Sequence, residues 1–114
     1  MVKRIVVGAH YGTGSWLAQR ITAVVMVLYT VAALVVLARR SPFTYESWRE
    51  LFALGWVRVA TALFFASLAW HAWVGVRDIL MDYVKHDGLR LALQVLTVLL
   101  LAAYLLWAVE ILWR

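Results

Sequence analysis

Three stretches of this chain, residues 21–38, 59–76 and 91–109, contain no Asp, Glu, Lys or Arg and run for 18, 18 and 19 residues. A helix needs about 20 mostly apolar residues to cross the hydrocarbon core of a bilayer. Extended by polar and aromatic neighbours, the three stretches predict transmembrane helices over about 16–38, 56–81 and 89–112. Backbone amides in lipid need internal partners, which leaves only helices or closed barrels. Barrel strands alternate apolar and polar residues, and these runs do not alternate. The expected fold is all-α: an integral membrane protein with three transmembrane helices in a single membrane-anchor domain over 1–114.

Composition agrees. Hydrophobic residues make up 66% of the chain, well above the roughly 45–50% of soluble domains. The net charge of +5 fits Lys and Arg side chains reaching from the interface toward lipid headgroups. The longest basic runs are Lys3-Arg4 and Arg39-Arg40, short of the patch that nucleic acid requires, so no nucleic-acid partner is expected. Cysteine is absent, which excludes disulfides, iron–sulfur ligation and thiol catalysis by this chain. The first apolar run is too long for a cleavable signal peptide and is followed by Arg39-Arg40 rather than small residues.

Local signals set the helix ends. Gly8, Gly12 and Gly14 mark residues 1–20 as an interrupted, polar lead-in, and Ser15 is the expected cap of the first helix. Ser41-Pro42 should stop that helix, because proline disfavours helix in the residue before it. Ser47-Trp48-Arg49-Glu50 is a capping-box pattern that predicts a short helix in the first loop, with Gly55 as a bend before the second span. Lys85-His86-Asp87-Gly88 reads as a polar turn, after which Leu89 opens the third span. Trp16, Trp48, Trp56, Trp107 and Trp113 fall near span ends, as interfacial anchors do. Trp70 and Trp73 flank His71 in sequence and are expected to line what it faces.

Three spans put the N-terminus and the second loop on one side of the membrane. Six basic residues, Lys3, Arg4, Arg20, Arg77, Lys85 and Arg90, lie there, against five on the other side. That split does not fix orientation by the positive-inside rule. It does group Arg20 with residues 77–83.

His71 is the one histidine inside a span, and it stands in a stretch without Asp, Glu, Lys or Arg. Such residues face a partner, a cavity or a cofactor, and imidazole is a common axial ligand of haem iron. At 100° per residue, His71, Gly75, Asp78 and Asp82 follow one helix face, and Tyr83 lies roughly 18 Å along the axis from His71. A buried nitrogen, a gap at Gly75 and carboxylates and a phenol near the water boundary suit a haem, with Arg20 on the same side to pair with a propionate. They also suit a quinone hydrogen-bonded by Tyr83, with Asp82 nearby. A helix–helix hydrogen bond at His71 and close helix packing at Gly75 are the plainer readings of those two residues. A zinc site is not expected, since no His, Cys or carboxylate stands three or four residues after His71.

His71-Ala72-Trp73-Val74-Gly75 followed by Asp82-Tyr83-Val84-Lys85 closely resembles the small hydrophobic membrane-anchor subunits of succinate dehydrogenase, respiratory complex II. Arg20 with Thr22-Ala23 and Tyr29, Thr44-Tyr45-Glu46 with Trp48, and Leu89-Arg90-Leu91 with Leu93-Gln94 extend the resemblance over nearly the whole chain. It implies a two-subunit membrane-anchor bundle with one haem b between this chain and a larger cytochrome b anchor subunit. His71 would be one axial ligand of the haem iron, with Arg20 near its propionates. Tyr83 would bind the ubiquinone headgroup, and Asp82 would line that site. It implies flavoprotein and iron–sulfur partner subunits, a bacterial inner (cytoplasmic) membrane and a cytoplasmic N-terminus. The chain itself would catalyse no bond chemistry. Alternatives are a fumarate reductase anchor, a purely structural assembly subunit, and a small multidrug-type transporter. The last needs a carboxylate buried mid-span, and every Asp and Glu lies outside the three stretches.

Overall fold

The computed structural model describes the backbone from Val7 to Arg114 and side chains from Thr13 onward. Lys3 and Arg4, counted above for orientation, lie outside the described residues. The chain folds into four helices: α1 (Val7–Arg39), α2 (Tyr45–Ala53), α3 (Gly55–Tyr83) and α4 (Asp87–Leu112), with no strand among the described residues. Three of them, Thr13–Arg39, Gly55–Tyr83 and Asp87–Leu112, are long and apolar enough to cross a membrane. The expected all-α, three-span architecture therefore holds.

Several ends differ from their sequence signals. α1 starts well before Ser15, and its backbone runs through Gly8, Gly12 and Gly14 without a break. Glycine weakens a helix by about 0.5–1 kcal/mol relative to alanine, but unpaired backbone groups near lipid cost several kcal/mol each. Ser15 is thus no cap; its hydroxyl accepts from Arg77 Nη2 at 2.7 Å. The cap of α2 is Thr44, not Ser47: Thr44 is extended and its side chain accepts from the Ser47 backbone N–H at 3.1 Å. Starting the helix there places Glu46 in the first turn, where the helix dipole favours an anion. Gly55 opens α3, and the break falls at Leu54, whose backbone is extended. α4 begins at Asp87, capped by His86, whose Nδ1 accepts from the Leu89 N–H at 3.0 Å. α1 ends at Arg39, ahead of Ser41-Pro42, as expected.

α3 lies at the centre. It packs against α1, α4 and α2, whereas α1 and α4 make no extensive contact with each other. Side-chain bonds fix the antiparallel α1–α3 register. Besides the Arg77–Ser15 bond, Thr22 Oγ1 lies 3.0 Å from His71 Nδ1 and the Tyr29 hydroxyl lies 2.7 Å from Thr61 Oγ1. On α1 these residues recur every seven positions, the spacing that keeps one stripe of a helix against a neighbour. Tyr29 also stacks on Phe64, with ring centroids 4.6 Å apart. At the opposite end of the bundle, the Arg58 guanidinium sits 5.9 Å from the Trp113 ring centre and ties α3 to α4. Glu110, an unusual charge near the end of the third span, is held by Arg114 through bonds of 3.2 and 2.7 Å.

Tyr29→Phe keeps the stack and removes one interhelical hydrogen bond. Such bonds average about 0.6 kcal/mol within membranes, with a maximum near 1.7. A small drop in the thermal midpoint of the detergent-purified protein is therefore expected.

Only 6%, 11% and 0% of the most apolar windows of the three spans are buried within the chain. Almost all of this apolar surface is left for lipid or for other subunits to cover.

Candidate functional site

Where the polar end of the α1–α3 seam widens, an open-sided cleft of about 820 Å³ forms. Ser15, Trp16, Gln19, Arg20 and Ala23 line it from α1, and His71, Val74, Arg77, Asp78 and Met81 line it from α3. His71 and Ala23 also border a second, apolar cleft with Met26, Val27, Val31 and Phe64. The imidazole therefore stands at the junction of two environments. Toward the Arg77 end lie two guanidinium groups and a carboxylate; toward the span centre lie aliphatic and aromatic side chains.

The hydrogen bonding of His71 is specific. Thr22 is 9% exposed, and its hydroxyl lies 2.7 Å from the Ala18 carbonyl, 3.2 Å from the Gln19 carbonyl and 3.0 Å from His71 Nδ1. Nε2 of the ring has no partner among the described residues and is not sealed from the cleft. Two cleft-lining atoms are buried without a partner: the Gln19 Oε1 acceptor and the Arg77 Nε donor. Buried polar atoms are nearly always satisfied, so each invites a ligand or another subunit. Arg77 Nη2 is already engaged with Ser15 at 2.7 Å and, more loosely, with Asp78 at 3.4 Å. The exposed Arg20 lies over Trp16, 5.0 Å from the ring centre.

His71 and Arg20 thus meet in one cleft. Asp82 and Tyr83 do not line it; both are exposed at the end of α3, Tyr83 by 77%. The 29 residues of α3 rise about 43 Å, more than the roughly 30 Å hydrocarbon core, so its last turn can stand at the membrane surface. The helix face also differs from the sequence reading. The cleft follows His71, Val74, Asp78 and Met81, and Gly75 does not line it. A Cβ at Gly75 would meet no atom within 4 Å, so no close packing within this chain explains that glycine. Trp70 and Trp73 turn away from the His71 cleft and line a crevice between α3 and α4. Thr22, Gln19 and Arg77 join the cleft and its hydrogen bonding without a sequence motif that marks them as site residues. The seven-residue spacing of hydroxyl side chains on α1 was the available signal for Thr22.

The residues present fit a haem. A partnerless imidazole nitrogen borders a space that is basic at one end and apolar at the other, which matches a flat apolar ring with acidic groups along one edge. Among the described residues, no cluster of three or more His, Cys, Asp or Glu could hold a bare metal ion.

The fold and cleft define a class, a small three-span membrane anchor whose faces are built to be covered. The profile of the succinate dehydrogenase/fumarate reductase transmembrane subunit family matches residues 3–109. The chain is also 41% identical over 102 residues, 90% of its length and 89% of the relative's, to the succinate dehydrogenase hydrophobic membrane anchor subunit of Coxiella burnetii. The chain belongs to this family and is a multi-pass membrane-anchor subunit of the succinate dehydrogenase/fumarate reductase type. That membership sets aside the multidrug-type transporter alternative.

Proposed function

We propose that this chain is the small anchor of a succinate:quinone oxidoreductase in the bacterial inner (cytoplasmic) membrane, with its N-terminus in the cytoplasm. In this reading it pairs with a larger cytochrome b anchor subunit and carries an iron–sulfur subunit and a flavoprotein. His71 would hold a haem b shared with the larger subunit, through its partnerless Nε2. When bound, that haem would supply a one-electron relay within the membrane. Arg20 neutralises a propionate at the polar end of the cleft. Tyr83 donates a hydrogen bond to the ubiquinone headgroup, and Asp82 lines that pocket and handles a proton at its carboxylate. The chain thereby couples succinate oxidation, carried out by its partners, to the quinone pool of the respiratory chain and the tricarboxylic acid cycle.

One observation carries this reading. His71 is held through Nδ1 while Nε2 remains without a partner in a cleft that also contains Arg20. A histidine serving only as a helix–helix tie needs no such cleft. The test is to purify the assembled complex and record its dithionite-reduced visible spectrum. One b-type haem per copy of this chain is expected, and a complex active with succinate but free of haem overturns the ligand role.

A further inference from the structure

We infer that Thr22 is a positioning residue for His71: its hydroxyl accepts a hydrogen bond from Nδ1–H, fixes the imidazole tautomer and leaves the Nε2 lone pair facing the cleft. This rests on the reading of His71 as a haem ligand, and it assigns a role to a residue on a different helix.

The argument is a proton count. A threonine hydroxyl has one proton to donate and lone pairs to accept with. The Thr22 oxygen lies 2.7 Å from the Ala18 carbonyl, a closer approach than its 3.0 Å to His71 Nδ1. Thr30, Thr61 and Thr97 likewise donate to the carbonyl four residues back, each at 2.8 Å. The Thr22 proton therefore goes to Ala18, and the bond to the ring runs the other way, from Nδ1–H to Oγ1. Neutral imidazole has one N–H, so Nε2 is the bare nitrogen. Ring orientation is fixed by the same contact, because Thr22 is buried on a helix locked to α3 by further bonds at Ser15 and Tyr29. A hydrogen bond from the distal N–H of a ligating histidine raises its basicity, and losing such a partner typically costs 10–100-fold in metal affinity or activity.

The experiment uses the whole complex carrying Thr22→Val, which keeps the side-chain shape without the hydroxyl, and Thr22→Ser, which keeps the hydroxyl. Haem loss to an excess of a scavenging apo-globin and the haem midpoint potential are measured in each. With Val, haem loss should quicken by about tenfold or more. The potential should rise, because a less basic imidazole stabilises ferric iron less, and Ser should restore both. Unchanged loss rate and potential in Thr22→Val, while His71→Ala removes the low-spin haem, overturn the role of Thr22 and leave the ligand assignment standing. A low-spin haem of normal potential in His71→Ala removes the ligand assignment itself. Should Thr22→Val fail to assemble, it is combined with His71→Ala. If the defect is no worse than in His71→Ala alone, Thr22 acts through the ring, as inferred. An added defect marks Thr22 as a packing residue and overturns the inference.

Discussion

His71→Ala should abolish the low-spin b-type spectrum of the assembled complex while the flavoprotein continues to oxidise succinate with a soluble acceptor. The effect is expected to be close to complete. Alanine removes the ligand atom, and the polar residues that share the cleft offer no substitute, while Met81, the thioether that lines it, stands ten residues and roughly 15 Å along α3 from His71. Gln19 and Asp78 carry oxygen donors, Ser15 is already engaged by Arg77, and Arg20 and Arg77 are cationic. Low-spin iron needs both axial positions filled by strong-field nitrogen or sulfur, so one missing imidazole shows as a shifted, broadened Soret band or as no haem at all. The substitution also leaves the Thr22 hydroxyl without the ring. That local cost is small, since the hydroxyl keeps its bond to Ala18 at 2.7 Å, and assembly should survive. Exogenous imidazole then provides a rescue test: partial return of the low-spin bands on its addition places the lost ligand at this position. A normal spectrum in the variant would assign the haem to other residues.

How much of this was legible beforehand depends on which physical force leaves a mark in sequence. The three spans were legible because charge is excluded from hydrocarbon, so the positions of Arg, Lys, Asp and Glu bracket each helix. Topology put Arg20 on the same side of the membrane as residues 77–83, since three spans leave only one arrangement of ends, and the structure brings it into one cleft with His71. Rotation of the helices about their axes was not legible. A helix that is apolar on every side gives periodicity little to report, and so sequence adjacency points Trp70 and Trp73 at the His71 cleft, whereas they face α4. The same uncertainty hid Thr22, whose role depends on the α1–α3 register. The capping-box pattern at Ser47 misled, because the helix starts one turn earlier, at Thr44. Thr44 prevailed over Ser47 because its extended backbone brings the side chain onto the Ser47 N–H and adds Glu46 to the first turn. The resemblance to complex II anchors carried the family, and comparison with known proteins agrees with it.

Tyr83→Phe should lower quinone reduction by roughly tenfold or more while succinate oxidation with an artificial acceptor is retained. Losing a hydrogen bond to a buried polar group costs about 1–3 kcal/mol, and each 1.36 kcal/mol on the barrier is a factor of ten in rate. Within this chain the phenol has nothing to lose: Tyr83 is 77% exposed and ends α3. A defect in the variant therefore reports on a partner outside the chain. The competing explanation is that Tyr83 is an interfacial aromatic of the kind common at membrane boundaries. Tyr83→Trp separates the two, because tryptophan is at least as good an interfacial anchor but puts its N–H in a different place. Activity restored by Trp and lost in Phe is what anchoring predicts and would remove the phenol from the quinone site. Activity lost in both fixes the need on the phenol. Wild-type rates in Phe would remove Tyr83 from the quinone site. Equal loss of quinone reduction and artificial-acceptor activity would instead indicate that the last turn of α3 seats the soluble subunits. Asp82→Asn, measured in parallel, should change the pH dependence of quinone reduction more than its maximal rate if the neighbouring carboxylate handles the proton.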